Sequence, residues 1–108
     1  MNAPVLSQPF TLETPLRVDD GAGGYAVDWS PIGKLWGRLD ARSACEASGL
    51  SQASYRVTVR GGPVGAVSRP VAGQRLRSGD RLFAIGAVTE ADAIGRYLTC
   101  HVTEEIAL

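Results

Sequence analysis

One histidine, His101, and two cysteines, Cys45 and Cys100, are the residues from which nucleophilic or metal chemistry would have to be built. A Ser-His-Asp or Cys-His arrangement would need His101. Its neighbour Cys100 lies in what reads as a strand, where adjacent side chains point to opposite faces and do not act on one substrate atom. Cys100 is therefore assigned to the core. A metal site would need further ligands from Asp and Glu that are scattered without a recognisable spacing. The run Asp19-Asp20-Gly21-Ala22-Gly23-Gly24 contains neither GxGxxG nor GxxxxGK followed by Ser or Thr, and no helical pattern follows it. It reads as a turn. These observations point to no catalytic residues, no metal site and no cofactor.

Arginine and tryptophan are the remaining side chains with binding chemistry. Acidic and basic residues balance at 11 each, which excludes a polycation seeking nucleic acid or anionic lipid. Ten of the 11 bases are arginine, and from Arg56 to Arg81 six arginines stand against one acid, Asp80. Their planar forks suit carboxylate or phosphate partners at an interface; the competing reading is a solvated strand face. Trp36 shares its parity with Arg38, Asp40 and Arg42, on the polar side of its strand, where an indole is either shielded by a loop or available to anchor a partner. Trp29 is assigned to a half-buried strand.

The element that orders these residues is the segment 74–85, two short strands around a Ser78-Gly79-Asp80 turn in which glycine supplies a positive φ. With Gly79-Asp80 as a two-residue loop, Leu76 faces Phe83 and Gln74 faces Ile85; a three-residue loop would set Leu76 against Leu82. The first register is preferred because it places an aromatic beside a leucine inside and leaves Arg75, Arg77 and Arg81 outside, in water.

Period-2 alternation marks the other strands. Phe10, Leu12, Leu16 and Val18 share one parity, with Pro15 implying an edge or a bulge. Tyr25, Val27 and Trp29 resume the alternation after the Gly-rich turn. Ser30-Pro31-Ile32-Gly33 is read as a break, and 34–42 as a new strand with Leu35, Leu39 and Ala41 on one side. Tyr55, Val57 and Val59 alternate with Arg56, Thr58 and Arg60. The stretch 64–73, with Gly65, Pro70 and Gly73, reads as a connection across one end of the domain. After Ile85, Gly86 and the stretch Thr89-Glu90-Ala91-Asp92-Ala93 are expected to form a polar connection ending at Gly95, and Leu98, Cys100 and Val102 form the last strand before Glu104-Glu105.

Residues 43–54 change character. Ser43 with Glu46 has the form of a capping box, and Gly49 could end a single helical turn inside a long loop; the alternative is a plain loop. Long loops on small β-domains commonly carry function.

At 108 residues, with 44% hydrophobic residues, 13 glycines and 6 prolines, the chain fits one all-β domain with an adequate core. About six mainly antiparallel strands with one long loop fit a small barrel or sandwich spanning 9–108, preceded by a flexible N-terminal arm over 1–8. Closure would remove exposed sheet edges. Two distant cysteines, no basic apolar leader and no span of about 20 apolar residues lead to the expectation of a reducing cytoplasm and no membrane.

The order of features resembles the head-tail joining proteins of tailed phages. The residues that carry the likeness are the Gly-rich turn leading to Trp29, Leu35-Trp36-Gly37-Arg38-Leu39, Tyr55-Arg56-Val57-Thr58-Val59-Arg60, the 74–85 hairpin, and the ending Tyr97-Leu98-Thr99-Cys100-His101-Val102-Thr103-Glu104-Glu105. Gly37 stands where the family usually has alanine, and the segment after Arg60 lacks the usual aromatic. The resemblance implies a small barrel assembled as a ring, commonly a hexamer, in the neck of a phage or gene-transfer particle made in the bacterial cytoplasm. The implied partners are further copies of the chain, an adaptor or portal-side ring, a tail terminator or tail-tube protein, and packaged double-stranded DNA. By position, the loop of Ser43, Glu46, Ser48, Gly49, Ser51 and Gln52 would face the lumen as a gate. Trp36, Arg38, Arg42, Arg75, Arg77 and Arg81 become candidates for contacts between subunits or rings. Alternatives are another neck ring, adaptor or terminator, and a stand-alone barrel that binds single-stranded nucleic acid.

Overall fold

The computed structural model describes residues 5–47, 50–62, 66 and 69–107, with the side chains of 43–52 and 105–107 outside that description. Its strands are β1 (Gln8–Asp19), β2 (Tyr25–Ala47), β3 (Leu50–Arg60), β4 (Arg75–Ser78), β5 (Arg81–Glu90) and β6 (Tyr97–Ala107). All neighbouring pairs are antiparallel, and the sheet closes as a barrel in the order β1-β2-β3-β6-β5-β4, with β4 meeting β1 at Thr11, Leu12 and Glu13. Of the barrel and the sandwich, the chain adopts the barrel.

The inward parity of each strand builds the core. Phe10 and Leu12 of β1, Val57 and Val59 of β3, Leu76, Phe83 and Ile85 of the β4-β5 hairpin, and Leu98, Cys100 and Val102 of β6 are all buried. Phe83 sits at the centre, with Phe10 and Tyr55 edge-on to it at 6.1 and 5.5 Å between ring centroids. Burying a side chain such as Leu76 or Phe83 contributes about 2–3 kcal/mol. The hairpin takes the two-residue register: Leu76 pairs with Phe83 and Ser78 with Arg81, and Gly79 has φ +61°. Ile85 N–H donates to the Gln74 carbonyl at 2.9 Å, extending that register.

Three expectations are corrected. Pro31 does not end a strand: β2 runs for 23 residues, and Ile32 is the extra residue of a bulge between the pairs Gly33-Leu12 and Pro31-Glu13. Because β3 joins β2 only from Gly37 onward, β2 has a single neighbour at Pro31, and a residue without an N–H is accommodated. Pro15 lies beyond the last β1-β4 pair and is tolerated for the same reason.

Residues 43–47 and 50–54 form neither a helical turn nor a long loop. Their backbone continues β2 and β3, paired from Ser43-Ser54 to Ala47-Leu50. The capping-box pattern loses to the ladder that β6 offers on the other side of β3, from Ser54-Thr103 to Leu50-Ala107. Last, β5 does not stop at Gly86. It passes through a bulge there and continues to Glu90. The turn that follows is held by Asp92, whose Oδ1 accepts the Arg96 N–H at 2.8 Å, and Gly95 has φ +71°.

Two projections leave the barrel from opposite ends of β2. At one end, residues 14–19 and 25–30 pair only with each other among the described residues. At the other, β2, β3 and β6 run on together as a three-stranded extension. The radius of gyration is 15.0 Å, against about 13 Å for a compact domain of this length, and the difference reflects these projections.

Candidate assembly site

The outer wall formed by β2, β3 and β6 gathers three of the predicted contact residues. Trp36 is 55% exposed. Arg38 Nε lies 3.1 Å from Asp40 Oδ2 on the same strand. Arg42 is the extra residue of a second bulge in β2, between the pairs Ala41-Tyr55 and Ser43-Ser54, and bulges re-aim a side chain. Its guanidinium stands 3.3 Å from His101 Nδ1. Arginine only donates, so Nδ1 accepts and Nε2–H donates to Thr89 Oγ1 at 3.1 Å. Strand register sets Asp40, Arg56 and His101 side by side across the wall. A groove of about 450 Å³ lies over it, lined by Arg38, Asp40, Ala41, Arg56, Thr58 and Thr99.

Cys100, the residue before His101, points into the barrel as the alternation requires. It is fully buried, and desolvation pushes its thiol up to about 12. The two side chains therefore face opposite sides of the sheet and form no dyad. Among the described residues, no three His, Cys, Asp or Glu come together as metal ligands.

The hairpin arginines are placed differently from the solvated positions expected of them. Arg75 Nε donates to Glu13 Oε1 at 2.6 Å, and Arg77 stands 3.1 Å from the other Glu13 oxygen. Glu13 is only 4% exposed although it has outward parity. It is covered by Arg75, whose guanidinium in turn lies 4.2 Å over the Trp29 ring.

Arg81 has inward, not outward, parity. It shares the parity of Phe83 and Ile85 and closes the end of the barrel interior nearest the three-stranded extension. Its Nε and NH2 bind the two carboxylate oxygens of Glu104 at 2.8 and 2.9 Å, and NH2 also donates to Tyr55 Oη at 3.3 Å. The guanidinium lies 4.9 Å from the Phe83 centroid. The Glu104 hydrogen bonds raise the pKa of Arg81.

Glu13 and Glu104 are the residues that sequence reasoning missed. A count of charges between Arg56 and Arg81 finds only Asp80, because the true partners lie 62 and 23 residues away from Arg75 and Arg81 along the chain. The parity of Arg81 with Phe83 was the available signal. Of the proposed gate residues, Ser43, Glu46, Ser51 and Gln52 lie on paired backbone of the extension, while Ser48 and Gly49 fall outside the described residues.

The Gly-rich turn is a hairpin closure. Asp20 Oδ1 accepts from Ala22 N–H at 2.8 Å and Gly24 N–H at 3.1 Å, so the acidic side chain occupies the backbone donors that a phosphate would need.

Comparison with known proteins agrees with this assembly of features. No curated protein matches the chain. Among solved structures, a chain from "Virion of native gene transfer agent (GTA) particle" is 41% identical and superposes with a TM-score of 0.88, covering 98% of this chain and 100% of that one. The model of the phage head completion protein family matches residues 1–105, and the chain belongs to that family of structural virion proteins.

Proposed function

We propose that the chain forms a ring, a hexamer, in the neck of a tailed phage or gene-transfer particle, where it closes the DNA channel after packaging and presents the surface to which the tail attaches. The observation that carries this reading is the family match over residues 1–105. The gene-transfer-particle chain, alike over nearly the whole length, supports a place in such a particle. The three-stranded extension is the gate, and it approaches the channel with an adaptor or portal ring on one side and a tail terminator or tail-tube protein on the other.

Stand-alone binding of single-stranded nucleic acid is disfavoured by one side chain. Base-stacking grooves need aromatic faces turned outward, and Tyr55, the one aromatic of β3, the strand of Arg56 and Arg60, packs edge-on against Phe83 at 86° between ring planes.

Particles assembled without the protein test the reading. Full or leaking heads without tails are expected, and electron microscopy of complete particles should reveal a ring of this chain in the neck. Normal tailed particles in its absence would refute it. Trimming the extension by Glu46, Ala47, Leu50 and Ser51 keeps the register and is expected to leave the barrel folded while DNA retention falls.

A further inference from the structure

Residues 14–30 form a two-stranded ribbon without a core of its own. β4 leaves β1 after Glu13, and β3 joins β2 only at Gly37, so among the described residues both ribbon edges are unpaired. Its apolar side chains lie on both faces. Cross-strand pairing puts Leu16 with Asp28 and Val18 with Ala26 on one face, and Trp29 with Pro15, Val27 with Arg17 and Tyr25 with Asp19 on the other. Tyr25 is 70% and Val27 60% exposed, and Leu16 and Val18 are also exposed. A lone two-stranded ribbon is marginal in water, and its open edges are templates for pairing.

Charge identifies what covers it. The ribbon carries Asp19, Asp20 and Asp28 against Arg17. Around its groove of about 450 Å³, over residues 36–42, 56–58 and 99–101, the β2-β3-β6 wall carries Arg38, Arg42 and Arg56 against Asp40, with Trp36 exposed. The chain as a whole is neutral, so the two excesses are a segregation of charge within one molecule. Both surfaces sit on the continuous strand β2, the ribbon at 25–30 and the wall at 36–42, and the strand leads the ribbon away from its own wall.

We infer that the 14–30 ribbon of one copy docks on the β2-β3-β6 wall of the next through the face that carries Leu16, Val18 and Asp28, with Asp28 over the arginines Arg38, Arg42 and Arg56 and Leu16 and Val18 against Trp36. The contact is head-to-tail: each copy gives a ribbon and receives one. Such a contact closes into a ring when the rotation between copies allows it. The inference rests on the ring reading above and specifies the contact that builds the ring.

The test uses the full chain with reversed charges. D28R and R56E, each checked for an unchanged melting transition, are expected to weaken self-association about tenfold in sedimentation, a loss of complementary charge at one contact. An equimolar mixture of the two variants should recover most of the loss, because each ribbon then finds a wall of opposite sign. In assembled particles, A26C and T58C in a C45S background, treated with a short bismaleimide, are expected to give a ladder of cross-linked copies, because Ala26 shares the ribbon face of Asp28. Self-association indifferent to both reversals, or neck rings that yield no ladder, overturns the ribbon contact and leaves the ring standing. A neck without any ring of this chain overturns both.

Discussion

Replacing Arg81 by alanine is expected to destabilise the isolated protein by about 2–3 kcal/mol. The variant removes two charge-assisted hydrogen bonds, at 2.8 and 2.9 Å, from a Glu104 carboxylate that is 5% exposed. Stripping one partner from a fully buried pair costs about 3–5 kcal/mol. Arg81 itself is 44% exposed, so water enters where the guanidinium stood and relieves part of that loss. The guanidinium's contact with the Phe83 ring, at 4.9 Å, adds about 0.5–1 kcal/mol to the cost.

Two further variants separate charge from packing. E104Q keeps a polar group of the same shape but sets an amide against a donor, and should cost about 1 kcal/mol. The double variant R81M/E104L removes both charges and fills the barrel end with apolar atoms. It should return to within about 1 kcal/mol of the parent. Urea unfolding followed by tryptophan fluorescence, with the slope m compared between variants, measures all three. A cost below about 0.5 kcal/mol for R81A, or a double variant that loses the sum of the single losses, would refute the description of Arg81 as the closure of the barrel.

Two shorter predictions test the interior. A Cβ on Gly37 would stand 3.0 Å from Phe10 Cε2 and 3.1 Å from the Thr58 carbonyl oxygen, so G37A is expected to lower stability by about 1 kcal/mol in thermal unfolding; a stabilised variant would mean that Phe10 has room to move aside. In a C45S background, Cys100 should resist a thiol reagent at pH 8 until the protein is unfolded, because burial holds its thiol up to about 12. Its folded pKa lies above the unfolded one, so this contribution to stability is complete below about pH 9 and declines as pH rises toward 12. Rapid labelling of the native state would contradict the inward placement.

What the sequence made legible was local. The 74–85 hairpin could be read to the residue because the turn chemistry of Gly79 and the match of Leu76 with Phe83 act over a few positions. The alternations Val57-Val59 and Leu98-Cys100-Val102 named core residues for the same reason. The failures involve distant partners. Ser43 and Glu46 form a plausible helix cap, yet the backbone there is strand because residues 103–107, more than fifty positions on, complete the ladder. Arg75 and Arg77 looked like solubilising charges because Glu13 joins them only when β1 closes on β4. Arg81 was misread against its own parity, since a guanidinium is assigned to water by default until a carboxylate such as Glu104 is known to stand opposite.

The alternation in 14–30 fails in a more informative way. Leu16 and Val18 continue the parity of Phe10 and Leu12, and by period alone all four belong to one core. The first pair is exposed and the second fully buried, and the difference is that β4 stops covering β1 after Glu13. The barrel does not need the ribbon: every buried hydrophobic residue of the core cluster lies outside 14–30. A strand pattern that codes for burial stands here where nothing among the described residues buries it, and the proposed contact between copies is what would cover it. The charge pattern divides at the same boundary, with the tightest ion pairs, those of Glu13 and Glu104, inside the barrel and its covering residues. The acidic excess lies on the ribbon and the arginine excess on the wall. Folding the monomer therefore ties the hairpin arginines to Glu13 and Glu104, while the wall arginines Arg38 and Arg42 meet Asp40 and His101 at the surface.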